Sequence, residues 1–360
     1  MYTLPRYDIS VAPKQLAVLN RNVWAEETVP AYIHWGKEPQ KTWLKYRGAH
    51  TRVYDKKSFY LRMNGREWHL NADAVDPSHI RSKLSFDWFR ALSVLSPKAT
   101  HVTVALNGDE LGIYTLLESV DRHFLNRRRL PAGDLFYAVD NRANFGLTVS
   151  DGQRKLKKKL TDGYELKEGH SGCARRRLAH FIWNLNTVPE ARLASWLRKT
   201  VEVRHYLRWL AGIVLTSNAD GFIHNYALYR HPKTGRWWII PWDYDGTWGR
   251  DCYGRKMSAA EVSLFGYNRL TERILAVPAF RHYYLQLMDV LLKRYFTLRN
   301  MTNRALSLMA HVRPAVYMTA AGRTDVIQKF EQEKEVLQSY VVQRRQFLQK
   351  AVSKNSTRCN

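Results

Sequence analysis

Ser217-Asn218-Ala219-Asp220-Gly221-Phe222-Ile223-His224-Asn225, followed downstream by Pro241-Trp242-Asp243-Tyr244-Asp245-Gly246, is the stretch on which the reading of this chain turns. An Asp precedes an Asn by five positions, and an acidic turn then ends a strand-like segment. Carboxylate and amide oxygens are hard donors, suited to Mg²⁺ and its phosphate complexes where thiols or imidazoles would not be. Asp243 and Asp245 stand two apart in an extended or turn segment, which puts them on one side at roughly 6 to 7 Å. Taken alone, an Asp-x4-Asn arises often by chance, and Asp-Gly is ordinary turn chemistry. The surroundings give it more weight. Tyr206 to Leu215 is an apolar, helix-like run; Tyr226-Ala227-Leu228-Tyr229-Arg230 reads as a strand; and Trp237-Trp238-Ile239-Ile240-Pro241 reads as a second one after the turn His231 to Gly235. The spacing predicts a hairpin that carries Asp243 back towards Asp220.

This order of parts is the one with which protein kinases hold a hydroxyl nucleophile and Mg-ATP. On that reading Asp220 accepts or orients the proton of an acceptor hydroxyl. Asn225 binds a metal through its amide oxygen, and Asp243, with Asp245 beside it, holds metal against the phosphates. Ordinary kinase signatures are otherwise missing. There is no Gly-x-Gly-x-x-Gly, no His-Arg before Asp220, and Tyr244-Asp245-Gly246 follows the metal Asp in place of Phe-Gly. The phosphate clamp is therefore expected elsewhere, at Arg47-Gly48 with Lys56 and Lys57, because an arginine fork and a lysine point charge both neutralise phosphate oxygens. The bland alternative is a turn glycine flanked by solvated charges, and the residues do not choose between Lys56 and Lys57.

Further segments carry a resemblance over nearly the whole chain. They are Tyr46-Arg47-Gly48-Ala49-His50 with Lys56-Lys57-Ser58-Phe59, Asp76-Pro77-Ser78 through Arg81, Asn107-Gly108 with Gly112-Ile113-Tyr114, Glu118-Ser119-Val120-Asp121, Gly133-Asp134-Leu135-Phe136-Tyr137, and the two motifs above. In these the chain resembles the spore-coat-protein-H (CotH) kinase family. The resemblance implies an atypical protein Ser/Thr kinase of the spore coat, made in the mother-cell cytoplasm and not secreted. It also implies ATP with Mg²⁺, or Mn²⁺ or Ca²⁺ in its place, and Ser-rich, basic spore coat proteins as substrates needed for coat assembly. The family's catalytic Asp matches Asp220 and its metal-binding Asp matches Asp243.

Element order agrees with an α+β, two-lobed, kinase-like fold: a strand-rich small lobe over 1–121 and a helix-rich large lobe over 122–360, with the catalytic and metal segments at about 217–250. A strand is expected over Ser58 to Met63. A helix follows from about Ser78 to Leu92, with Ile80, Leu84, Trp88 and Leu92 at helical spacing. Strands at His101 to Leu106 and Leu111 to Leu117 flank the turn Asn107-Gly108. By analogy Glu118 to Asp121 would be the hinge beside a nucleotide base, and Asp87 a partner for the lysine, although both acids also suit structural ion pairs. Arg142 to Gly172 has turn residues and little periodicity and is expected to be a mobile loop or insertion. Helices are expected at Ala174 to Trp183, Pro189 to Leu197, Glu261 to Leu275, Pro278 to Tyr295, Asn303 to Val312 and Asp325 to Lys350. Trp242 and Trp248 are expected to pack rather than to stack on a base.

With 360 residues, 45% hydrophobic and 12% aromatic, the chain can bury a sizeable core. Its first residues lack an apolar signal segment, and no uninterrupted apolar run approaches membrane-spanning length. Cys173, Cys252 and Cys359 are too few and too scattered for a disulfide framework or a Cys-x-x-Cys metal site. A net charge of +25 points to polyanionic partners. The basic run Arg154 to Lys159 and the triplets Arg127-Arg128-Arg129 and Arg175-Arg176-Arg177 are either solvated faces or a surface for phosphorylated protein. No zinc finger, RNP motif or recognition helix supports sequence-specific nucleic-acid binding. Three functions from different classes remain open on residues alone: phosphoryl transfer, nucleotidyl transfer with the same metal ligands, and a catalytically weak scaffold that binds polyanionic or phosphorylated coat protein. A carboxylate-pair glycosidase would leave Asn225 unexplained.

Overall fold

The computed structural model describes residues 4–36, 38–149 and 155–356. Its N-terminal part is a closed barrel. The elements are β1 (Arg6–Ser10), α1 (Pro13–Arg21), β2 (Val29–His34), β3 (Gln40–Arg47), β4 (Ser58–Met63), β5 (Arg66–Asn71), α2 (Arg81–Ala91), β6 (Ala99–Leu106) and β7 (Asp109–Glu118). The strands run in the order β1-β2-β3-β4-β5-β7-β6, and a parallel β1–β6 pairing, Arg6 opposite Thr103 to Ile9 opposite Leu106, closes the ring. Period-two alternation explains why it closes. Val29, Ala31 and Ile33 of β2, Leu44 and Tyr46 of β3, and Phe59, Leu61 and Met63 of β4 all point inward into one buried cluster. Strand β7 departs from the alternation and is buried from Gly112 onward, because its outer face is covered by a C-terminal helix.

The second part carries α3 (Arg122–Arg127), β8 (Asp134–Ala138), β9 (Tyr164–Glu168), α4 (Ser171–Thr187), α5 (Glu190–Thr200), α6 (Val203–Thr216), β10 (Tyr226–Arg230), β11 (Trp237–Pro241), α7 (Arg269–Leu275), α8 (Pro278–Val290), α9 (Leu298–Ala320) and α10 (Thr324–Ser356). The architecture is thus mixed α+β. Caps set several helix starts: the Asp121 carboxylate accepts from the Phe124 amide (2.9 Å), and Asn268 Oδ1 accepts from the Thr271 amide (2.7 Å). Helix α6 is apolar almost all round and is the axis of the larger core. Helix α2, which lies between barrel strands in sequence, packs on α6 so closely that a Cβ at Gly212 would collide with the Phe89 ring.

The expected strands at Ser58–Met63, Tyr226–Arg230 and Trp237–Pro241 form with those bounds, and the expected turn at Asn107-Gly108 joins β6 to β7. The segment 142–172 is not a plain loop. It contributes β9, the outer strand of a four-stranded sheet ordered β11-β10-β8-β9. That strand was hidden because Tyr164-Glu165-Leu166-Lys167-Glu168 has too few β-branched residues to announce itself. The region 261–268 is irregular, and helix α7 starts only at Arg269, where Asn268 can cap it. Within the basic run, Arg154 lies outside the described residues and Lys157 is buried, so the run is not one uniform solvated face. Cys173 and Cys252 are free thiols, and Cys359 lies outside the described residues. No described helix is long and apolar enough to cross a membrane.

Candidate active site

Helix α6 ends at Ser217, which takes a left-handed conformation (φ 58°), and the chain then turns through a short 3-10 segment, Asp220–Phe222. Asn218 binds this turn to the other motif. Its Oδ1 accepts from the Gly221 amide (3.0 Å), and its Nδ2 donates to the carbonyl of Asp243 (3.1 Å). The β10–β11 hairpin supplies the second tie: Tyr226 pairs with Pro241, and just beyond them the Trp242 amide donates to the Asn225 carbonyl (3.2 Å). Asn225 and Asp243 therefore flank the same end of the hairpin, both with positive φ (59° and 58°). Such conformations cost other side chains more than they cost Asn and Asp, and they gather at functional sites.

These residues open onto a cleft of ≈ 750 Å³ between the barrel and the second sheet, lined by Arg47, Lys56, Asp73, Asp220, Asn225, Asp243 and Asp245 among others. Asp245 Oδ1 accepts from the Gly246 amide (2.7 Å). Burial, then the neighbouring carboxylates Asp243 and Asp73, push the Asp245 carboxyl well above its ordinary range. Asp73, also buried, accepts from Ser82 Oγ (2.8 Å) and Thr115 Oγ1 (2.6 Å); burial raises its carboxyl as well, against the pull of those two hydroxyls. Carboxylates crowded at a cleft wall repel one another unless protonated or neutralised. With the amide of Asn225, the carboxylates of Asp243 and Asp245 form a hard-oxygen donor set that fits a divalent cation. Among the described residues no group of three or more His, Cys, Asp or Glu side chains stands ready-made for a metal, so the set is a pair of carboxylates with an amide and not a closed cage.

The barrel side also brings cations to the cleft. Arg47 Nη1 donates to Asn71 Oδ1, and the guanidinium lies 5.6 Å from the centroid of the Trp242 ring. Burial lowers the Arg47 pKa, while Asp243, Tyr137 and Asp245 pull it up. Lys56 Nζ donates to the carbonyls of Ala72 (2.7 Å) and Ile113 and sits over the Tyr114 ring. Burial depresses its pKa, with Asp73 and Asp76 opposing. Two of its three donors are committed, which leaves one to face the cleft.

The structure thus brings together Asp220, Asn225, Asp243, Asp245, Arg47 and Lys56. It does not bring Lys57 or Glu118 to the cleft. Lys57 Nζ turns back to the Tyr54 carbonyl (2.9 Å) within the bend that precedes β4. The Glu118 carboxylate is buried against Arg128 (2.9 Å) and the Lys98 amide (3.0 Å). In the expected hinge, the Val120 amide and carbonyl are both taken by the Tyr137 hydroxyl (3.0 and 2.9 Å). Asp87 pairs with Lys83 and Arg90 at the surface, so the acids facing Lys56 are Asp73 and Asp76. Trp248 is fully buried, as expected of a packing residue; Trp242 packs on Tyr137 (centroids 5.2 Å) and also lines the cleft. Asn71 and Asp73 were missed by sequence reading. The available signal was a polar pair at the end of a strand, immediately before Asp76-Pro77-Ser78.

The family described as CotH kinase protein matches residues 44–348. The chain belongs to the CotH kinase family. It is 43% identical to the inner spore coat protein H of Bacillus subtilis (strain 168), over 97% of this chain and 98% of that protein. An inner spore coat protein H-like protein of the same organism is 22% identical, over 76% of this chain and 80% of its own length. Among solved structures, the Helicobacter pylori proinflammatory kinase CtkA is similar at 11% identity with a TM-score of 0.35, over 83% of this chain and 95% of that one.

Proposed function

We propose that this CotH-family chain is an atypical protein Ser/Thr kinase of the spore coat that transfers the γ-phosphate of Mg-ATP to serines of coat proteins during coat assembly. The observation that carries the reading is the Asn218 bracket, which holds the Asp220 turn to the Asp243 turn across from Arg47 and Lys56. The kinase-like division into two lobes near residues 121 and 122, with the cleft between them, belongs to the same reading. Asp220, exposed at the cleft mouth, accepts the acceptor hydroxyl proton or orients that hydroxyl. Asn225, Asp243 and Asp245 would hold Mg²⁺, whose chemistry when bound is to neutralise charge on phosphate oxygens. Arg47 and Lys56 neutralise the remaining phosphate charge from the barrel side.

Incubation of the purified chain with divalent metal, a developing-coat extract and either γ- or α-labelled ATP tests this. Label passing into protein from the γ position, and lost in Asp243→Ala, supports it. Transfer from the α position would instead assign nucleotidyl transfer. No transfer from either, with binding to phosphorylated coat protein retained, would assign a scaffold.

A further inference from the structure

A second concavity, of ≈ 640 Å³ and sharing no lining residue with the cleft, opens at the opposite end of β8 and β10. Arg230, at the end of β10, is about 16 Å along the strand from Asn225. The groove holds two acids, and both are already matched. Asp134 accepts a two-pronged contact from Arg177 (Nε to Oδ2 2.6 Å, Nη2 to Oδ1 2.7 Å), and Glu168 pairs with Arg122 (3.0 Å). That leaves the half-buried Arg230 guanidinium with no carboxylate at ion-pair distance among the described residues. Its pKa is lowered by burial and then by Arg177, with Asp134, whose two oxygens Arg177 holds, pulling the other way. Helix α4 also begins at this wall, with no side-chain cap at His170.

The groove continues past Pro131 and Pro232 into a neighbouring hollow of ≈ 490 Å³ that adds Arg129, His231 and Lys233. Two arginine triplets far apart in sequence, 127–129 and 175–177, thus each send one member, Arg129 and Arg177, to one elongated basic track. We propose that this track is a docking site for a phosphorylated peptide segment, with the phosphate seated between Arg230 and Arg177 and the flanking chain lying towards Arg129 and Lys233. A phosphate dianion accepts several charge-assisted hydrogen bonds from arginine forks. The track is longer than a free phosphate needs. Single-stranded nucleic acid is disfavoured because no Phe, Tyr or Trp lines either hollow to stack a base. The site requires no catalytic step and stands whether or not the cleft transfers phosphate.

The test is fluorescence anisotropy with the full chain, without nucleotide, using a labelled phosphoserine peptide, its unphosphorylated counterpart and a labelled oligothymidylate. The phosphopeptide is expected to bind with the higher affinity, to lose about tenfold or more in Arg230→Gln, and to bind the Asp243→Asn variant as it binds the wild type. Arg122→Gln, at a side chain 62% exposed and remote from the core, gives a second variant that keeps its fold and weakens binding less. Equal affinity for the two peptides, unchanged affinity in a folded Arg230→Gln, tighter binding of oligothymidylate, or loss in Asp243→Asn alone would each overturn the assignment.

Discussion

Arg81 and Glu333, 252 positions apart, form an ion pair (Nη2 to Oε2, 2.5 Å) in which both side chains are almost fully buried. Arg81 also binds Asp76 and donates through Nε to the Thr247 carbonyl (3.1 Å), and Glu333 receives Arg250 on its other oxygen (Nε to Oε1, 3.0 Å). One buried cluster therefore joins the entry to α2, the loop after Asp245, and α10. Burial alone would lower the Arg81 pKa, but Asp76 and Glu333 more than offset it.

Breaking that cluster leaves buried charge unpaired. Glu333→Gln is expected to destabilise the fold by about 3 kcal/mol, read as a lower urea midpoint with an unchanged slope. A stability within a few tenths of a kcal/mol of wild type would show that Asp76 suffices for Arg81.

The two aspartates of the motifs are expected to fail differently. Asp243→Asn should weaken Mg-ATP binding measured calorimetrically, while Asp220→Asn should leave binding largely intact; both should abolish acceptor labelling. Unchanged turnover in either variant would reject the site.

Lys56 and Lys57 separate on geometry, since one lines the cleft and the other donates to Tyr54. Lys56→Met is expected to lower nucleotide affinity by about tenfold, the worth of one charge-assisted contact, and Lys57→Met to change it little. Equal losses would place both lysines in the clamp.

Asn218 acts through the backbone of the two turns and touches no reacting atom. Asn218→Ala should cost about 1 to 2 kcal/mol of stability, since it removes two hydrogen bonds. Its turnover should fall by more than the unfolded fraction explains, with nucleotide affinity less affected than in Asp243→Asn. Full activity in the folded variant would show that the hairpin alone positions Asp243.

Acid should destabilise the chain through its buried histidines. His205, on α6 with Nε2 2.7 Å from the Ile239 carbonyl, is depressed by burial to about 4, and His79 likewise to about 4. A neutral folded His with a lowered pKa contributes fully above the unfolded value of about 6.5. As pH falls from there towards 4 the unfolded chain binds the extra proton, and stability drops by about 2 kcal/mol per such group at pH 5. His205→Gln should flatten the dependence of thermal stability on pH between 7 and 5; an unchanged slope would mean that His205 titrates alike in both states.

Part of the site was legible because its parts lie close in sequence. Asp220 and Asn225 are five apart, and a hairpin of ordinary length returns Asp243 to them, so local periodicity and turn chemistry were enough to foresee the meeting. Lys57 and Glu118 went the other way. Lys56 and Lys57 are neighbours in the bend before β4, and only the packed structure decides that Lys56 lines the cleft while Lys57 turns to the Tyr54 carbonyl. A buried carboxylate on a strand cannot be told from a ligand until its arginines are located, and Arg128 holds Glu118.

By itself the sequence determined the apolar axis of α6, the β10–β11 hairpin, the hard-oxygen character of the site and the strongly basic surface, because each follows from propensity, spacing or composition over a few residues. Only the tertiary structure decided the closure of the barrel by β1 on β6, the place of β9 in the second sheet, the Asp73 carboxylate opposite Asp245, and the gathering of Arg129, Arg177 and Arg230 on one track. Those relationships join residues dozens to hundreds of positions apart. They depend on the packing of whole faces and on where the burial of a charge is offset, which no local pattern encodes.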